Sequence, residues 1–150
     1  MSHIMMSAEV DVYVYRGGRS SAGCVPRTVK CVRVHESVTE IPEGAFAECE
    51  ELVHVELPKG LERIGSRAFY HCKSLPRIAI PSSVIEIEEG AFYECTALRK
   101  VELREGLQRI GKGAFTSCTS LLQISISSSV TEVAEASFWK CTGQMHLPQS

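Results

Sequence analysis

Leu52-Val53-His54-Val55-Glu56-Leu57-Pro58-Lys59-Gly60-Leu61-Glu62-Arg63-Ile64-Gly65-Ser66-Arg67-Ala68-Phe69-Tyr70-His71-Cys72 is one full unit of a pattern that runs through most of the chain. Cys72 has equivalents at Cys49, Cys95, Cys118 and Cys141, each 23 residues from the next. A constant step of that length marks a stack of repeated units. Phe46, Phe69, Phe92, Phe115 and Phe138 keep the same step three residues earlier, and Ile41, Ile64, Ile87, Ile110 and Val133 form another apolar column. Leu52, Val55 and Leu57 are matched by Leu75, Ile78 and Ile80, by Leu98, Val101 and Leu103, and by Leu121, Ile124 and Ile126.

Spacing within the unit predicts its local structure. Leu52, Val55 and Leu57 end in a period of two among aliphatic and β-branched residues, which reads as a short strand. Val38 to Ile41 reads as a second, shorter extended segment. Ala45, Phe46 and Cys49 fit one face of a single helical or 3₁₀ turn. One unit cannot bury Phe46, Leu52 and Leu57 alone, whereas stacked units about 4.8 Å apart cover each apolar column with its own copy.

The run Leu52-x-x-Val55-x-Leu57-Pro58-x-x-Leu61-x-x-Ile64-x-x-x-Ala68-Phe69-x-x-Cys72 resembles the BspA-type, or treponemal, leucine-rich repeat over about residues 29 to 148. The resemblance implies an α/β leucine-rich-repeat solenoid with a parallel β-sheet on its concave face. It also implies a role in binding proteins or surfaces, and brings no catalytic residues with it. Residues 1–9 are expected to be a flexible N-terminus, 10–37 an N-terminal β cap with a half-repeat, and 38–148 a solenoid of about five 23-residue repeats. The cap is expected from the alternation in Val10-Asp11-Val12-Tyr13-Val14-Tyr15, followed by turn residues at Arg16-Gly17-Gly18-Arg19. After Cys141 the pattern decays, and Met145-x-Leu147-Pro148 recovers the strand only if two residues are missing.

Units also alternate in pairs. Glu40, Arg63, Glu86, Arg109 and Glu132 change sign at every 23-residue step. On neighbouring strands this column makes a ladder of opposite charges that holds register.

Composition narrows the function. The chain has 150 residues, 44% hydrophobic and 23% charged, as in an ordinary globular protein of one domain. A net charge of −2 and a pI near 6.2 give no electrostatic footprint for nucleic acid. No apolar run is long enough to cross a bilayer. The first nine residues lack the basic and apolar regions of a secretory signal, so a cytoplasmic location with reduced cysteines is expected, with a surface location by an unconventional route left open.

The seven cysteines are the first candidates for chemistry. Stacked thiols lie along a line, not around a tetrahedron, and no Cys-x-x-Cys pair occurs, so a zinc site is not expected. They read as small buried hydrophobes beside phenylalanine, with Cys24 and Cys31 outside the column and open to pairing. His35, His54, His71 and His146 are expected on the surface, since no nucleophile, base and orienting group converge as catalysis requires. Gly17-Gly18 reads as a turn, not a phosphate loop.

The outward strand positions remain. Lys30, Arg33, His54, Glu56, Arg77, Arg99, Lys100, Glu102 and Gln123 form the expected binding face, with a basic column at His54, Arg77 and Lys100. The sequence therefore predicts a non-enzymatic interaction module without cofactor or metal, whose partner is a protein of some acidic character. The alternative is a structural or adhesive protein that self-associates through an open C-terminal edge.

Overall fold

The structure, a computed structural model, describes residues 11–18, 25–142 and 144–146. Residues 1–9, Cys24 and Leu147-Pro148 lie outside the described residues, as do the side chains of Gln123 and His146.

Twelve short strands follow one another in the described residues: β1 Val12–Tyr15, β2 Cys31–Val34, β3 Glu40–Ile41, β4 His54–Glu56, β5 Arg63–Ile64, β6 Arg77–Ala79, β7 Glu86–Ile87, β8 Lys100–Glu102, β9 Arg109–Ile110, β10 Gln123–Ser125, β11 Glu132–Val133 and β12 Gln144–His146. Every pairing between them is parallel. Even-numbered strands from β2 onward stack on one side of the coil, and odd-numbered strands from β3 onward on a second. Ile41, Ile64, Ile87 and Ile110 stand in register on the second side, one repeat apart. The result is a parallel β-solenoid of about five turns.

A third side completes each turn, and here the expected α/β class is corrected: the described residues contain no helix. Backbone bonding explains why. In Gly44–Cys49, the N–H groups of Ala45, Ala47 and Cys49 donate to carbonyls three residues back. Those of Gly44, Phe46 and Glu48 donate instead to Ser66, Ala68 and Tyr70 of the next turn. A helix would spend every N–H internally, whereas this segment spends alternate ones on its neighbour. Left-handed residues make the alternation feasible: Gly44 and Glu48, Gly90 and Glu94, Gly113 and Ser117 all have φ between 56° and 67°. A continuous helix cannot include such angles.

The interior is a set of ladders. Phe46, Phe69, Phe92, Phe115 and Phe138 stack with ring centroids 5.1–5.3 Å apart and planes within 16° of parallel. Tyr15, carried by β1, closes one end of this column edge-on, 5.2 Å from Phe46. The thiols of Cys72, Cys95, Cys118 and Cys141 each lie 3.0–3.2 Å from the carbonyl oxygen of the phenylalanine 26 residues earlier, as S–H donors. Small size, apolarity and one weak donor are what this position demands.

The charge ladder falls in register, Glu40 beside Arg63, then Glu86, Arg109 and Glu132. Glu86 is its focus, 3.6 Å from Arg63 and 3.2 Å from Arg109. That hydrogen bond and charge raise the Arg109 pKa further above its ordinary value. At the far end Met145 pairs with Ile124 and not one repeat later, in keeping with two missing residues.

Candidate functional site

The side built from the three-residue strands carries the expected binding residues, because strand geometry sends one residue of each strand inward and its neighbours outward. Val55 and Ile78 are buried between exposed flanks, and Val101 between an exposed and a half-buried one. His54, Glu56, Arg77 and Lys100 are exposed, and Glu102 is half-buried. Lys30 and Arg99 are exposed just before their strands, and Arg33 is exposed within β2. Gln123 pairs with Lys100 through the backbone.

Register brings some of these residues together and separates others. Arg33 faces Glu56 across β2 and β4, 3.3 Å apart, so their charges satisfy each other. Arg77 faces Lys100 directly across β6 and β8. Lys100 lies 4.0 Å from Glu102, which also holds Arg104 at 3.7 Å. Among the described residues neither Arg77 nor Arg99 has an acidic group within 4.0 Å. These cations line an open depression of about 720 Å³ together with Glu102 and with Pro76, Val101, Leu103, Leu122 and Ser125. Leu122 is 65% exposed, a large apolar side chain beside three cations.

Pro76 also interrupts the sheet. At equivalent positions the N–H groups of Val53, Arg99 and Leu122 donate to the carbonyls of Lys30, Pro76 and Arg99. Proline has no N–H to give. The ladder is broken at this point, between β4 and β6. Pro76 and Arg104 were not among the residues expected at the site. The missing donor of Pro76 was legible in its column of the repeat; the reach of Arg104 from the next corner was not.

Other candidates resolve into structure. His71 is not a freely solvated surface histidine: its ring stacks 3.9 Å from that of Tyr70, and Nε2 lies 3.4 Å from Glu94. His35 Nδ1 lies 2.8 Å from the Ser37 hydroxyl. Burial pushes the Cys95 thiol up to about 12. It pushes Cys49 up to about 11 against the opposing field of Arg27. Cys118 is also raised, by the neighbouring Cys141 thiol and by burial. Such thiols are neutral packing groups, not nucleophiles. Among the described residues no group of three or more His, Cys, Asp or Glu side chains is placed to hold a metal ion, and no helix is long and apolar enough to cross a membrane.

Parallel rungs of 23 residues with inward leucine, isoleucine and phenylalanine columns define a leucine-rich-repeat solenoid. The chain belongs to the BspA-type leucine-rich repeat family, whose BspA type leucine rich repeat region matches residues 27–144 in six copies. A leucine-rich repeat protein of T. pallidum is 32% identical with a TM-score of 0.68, over 87% of this chain and 54% of that one. One from Bacteroides ovatus is 27% identical with a TM-score of 0.70, over 81% of this chain and 30% of that one. A third, from Bacteroides capillosus, is 31% identical with a TM-score of 0.53, over 59% of this chain and 64% of that one. This chain thus spans about half the length of the treponemal protein and under a third of the B. ovatus one. None of the curated proteins matches it in sequence. Membership of this family suggests a protein-interaction or adhesion module.

Proposed function

We propose that this solenoid is a non-catalytic interaction module whose protein partner docks on the side formed by β4, β6, β8 and β10. The observation that carries this reading is the coincidence of the open depression with Arg77, Arg99 and Lys100 beside the exposed Leu122. Apolar and aromatic or arginine contacts at the centre of a patch, ringed by polar groups, supply most of the energy of protein interfaces. Lys30, Arg33, His54 and Glu56 extend the same surface on one side, and Gln123 on the other. Cytoplasm suits the molecule, since Cys72, Cys95, Cys118 and Cys141 use their S–H groups to bond carbonyls, which oxidation would remove.

The test is affinity capture with mass spectrometry, comparing the native chain with the double change Arg77→Glu, Lys100→Glu. Loss of the captured partner with the far-ultraviolet spectrum unchanged is expected. Undiminished capture refutes the site.

A second reading, self-association through the last turn, is favoured by the exposure of Trp139 at 59% and Val133 at 43% beside the outermost described strands. Sedimentation velocity across a hundredfold range of concentration tests it. A constant monomer mass rejects it.

A further inference from the structure

We infer that the docking side is built around one compact dianion, a phosphorylated side chain of the protein partner, held jointly by Arg77, Arg99 and Lys100. This rests on the reading of that side as the partner surface, and it specifies what the partner must present.

The first ground is a broken rule. Wherever else between residues 27 and 142 two of Lys, Arg, Asp or Glu stand one 23-residue step apart, their signs are opposite. The run Glu40, Arg63, Glu86, Arg109, Glu132 obeys it four times, Arg33 with Glu56 once, and Lys112 lies between Glu89 and Glu135. Arg77 and Lys100 alone share a sign, and they are direct neighbours across β6 and β8. Like charges directly opposite on a sheet destabilise it. Arg99 adds a third cation at the edge of the same depression. Departures from a pattern kept everywhere else concentrate at functional sites.

The second ground is the shape of the surrounding field. Ala79 follows Arg77 on the same outward face, so the Arg77 turn carries no acid there. The equivalent positions one turn either way are Glu56 and Glu102. A dianion seated over Arg77 therefore meets three cations against one carboxylate, Glu102, which lines the same depression and is already shared between Lys100 at 4.0 Å and Arg104 at 3.7 Å. An extended run of negative charge, whether a chain of acidic residues or a nucleic-acid backbone, would meet Glu56 and Glu102 as it left the centre. The arrangement accepts a point of high charge and rejects a line of it. Two guanidinium groups and an ammonium suit the oxygens of a phosphate monoester, which carries about two negative charges at neutral pH. The exposed Leu122 and the ring of Pro76 offer an apolar contact to the residue beside the phosphate.

The test uses the ¹⁵N-labelled chain at low salt and four probes: the peptide Gly-Ala-Leu-phosphoserine-Ala-Gly, its unphosphorylated form, Gly-Glu-Glu-Glu-Glu-Gly, and an octathymidylate. Saturable amide shifts at residues 77–79 and 99–102 are expected with the phosphopeptide. The unphosphorylated form should give none, and tetraglutamate and oligonucleotide should bind at least about tenfold more weakly, about 1.4 kcal/mol. Arg77→Gln and, independently, Lys100→Gln should each weaken the phosphopeptide by about tenfold. Arg77→Glu should abolish binding yet raise the melting temperature, because it restores opposite signs beside Lys100. Absence of saturable shifts, equal or tighter binding of tetraglutamate or octathymidylate, or unchanged affinity in both glutamine variants overturns the inference. Phosphatase treatment of the lysate separates it from the reading it rests on. Capture abolished by the double reversal but indifferent to phosphatase keeps the docking side and rejects the phosphate.

Discussion

Phe92→Ala removes the central ring of the aromatic column. Phe92 is fully buried, with rings 5.1 Å away on both sides, at 5° to Phe69 and 2° to Phe115. Truncating a buried phenylalanine costs about 3–5 kcal/mol, and loss of two stacked neighbours at ~0.5–1.5 kcal/mol each places this site near ~5 kcal/mol. Phe138 provides the contrast. It is half-buried and stacks on one described ring, Phe115, at 5.3 Å, so Phe138→Ala should cost about 2–3 kcal/mol by the same reckoning. Urea unfolding followed by circular dichroism, with the fluorescence of Trp139 as a probe of the last turn, measures both. Because a solenoid is held by nearest-neighbour contacts, Phe92→Ala should also let the two probes separate, the last turn melting apart from the first. Phe92→Leu keeps most of the burial and loses the stacking, and should fall between native and alanine. If Phe138→Ala costs as much as Phe92→Ala, or if Phe92→Leu is as damaging as alanine, the stacked column is not what holds the turns together.

Three further outcomes follow from the same geometry. Arg63→Glu should lower the melting temperature more than Arg63→Gln, since it sets three acids in a row where each cross-strand pair is worth ~0.2–1 kcal/mol; equal effects remove the ladder as a source of register. Gly106→Ala should be far more damaging than Gly60→Ala in thermal melts, because a Cβ at Gly106, with φ of 119°, would run into the Ser82 carbonyl oxygen whereas Gly60 has open space. The buried thiols set an alkaline limit. Cys95 stays protonated to about pH 12 and Cys49 to about 11 when folded, whereas unfolded thiols ionise near pH ~8.5. Above that pH the unfolded chain loses protons that the folded one keeps. Stability should therefore fall from about pH 8.5 upward, and Cys95→Ala should flatten that fall in urea titrations between pH 8 and 10.

The turn side shows why part of the fold escaped the sequence. Ala45, Phe46 and Cys49 have helical spacing, yet spacing says only which side chains share a face. Whether Phe46 N–H bonds within its own segment or to Ala68 of the next turn depends on a neighbour 22 residues away. Non-glycine residues in left-handed conformations, such as Glu48 and His71, gave no warning, because only tertiary bonds make those angles tolerable. The candidate site was more legible. Outward residues on a strand are set by a period of two, so His54, Arg77 and Lys100 could be placed before any coordinate was known. Which of them were neutralised could not, since Arg33 reaching Glu56 and Arg104 reaching Glu102 are matters of side-chain direction.

Repetition is the reason so much was readable from the chain. A 23-residue step repeats every inward position, so the stack, its apolar columns and its alternating charges follow from spacing, and its parallel sense from the family resemblance. Long-range bonding decided the rest: that the third side of each turn is laddered to its neighbours instead of helical, that the thiols bond phenylalanine carbonyls, and that among the described residues Arg33 reaches an acidic group within 4.0 Å while Arg77 and Arg99 do not. Each of these depends on groups some 20 or more residues apart being brought within bonding distance, and only the folded stack does that.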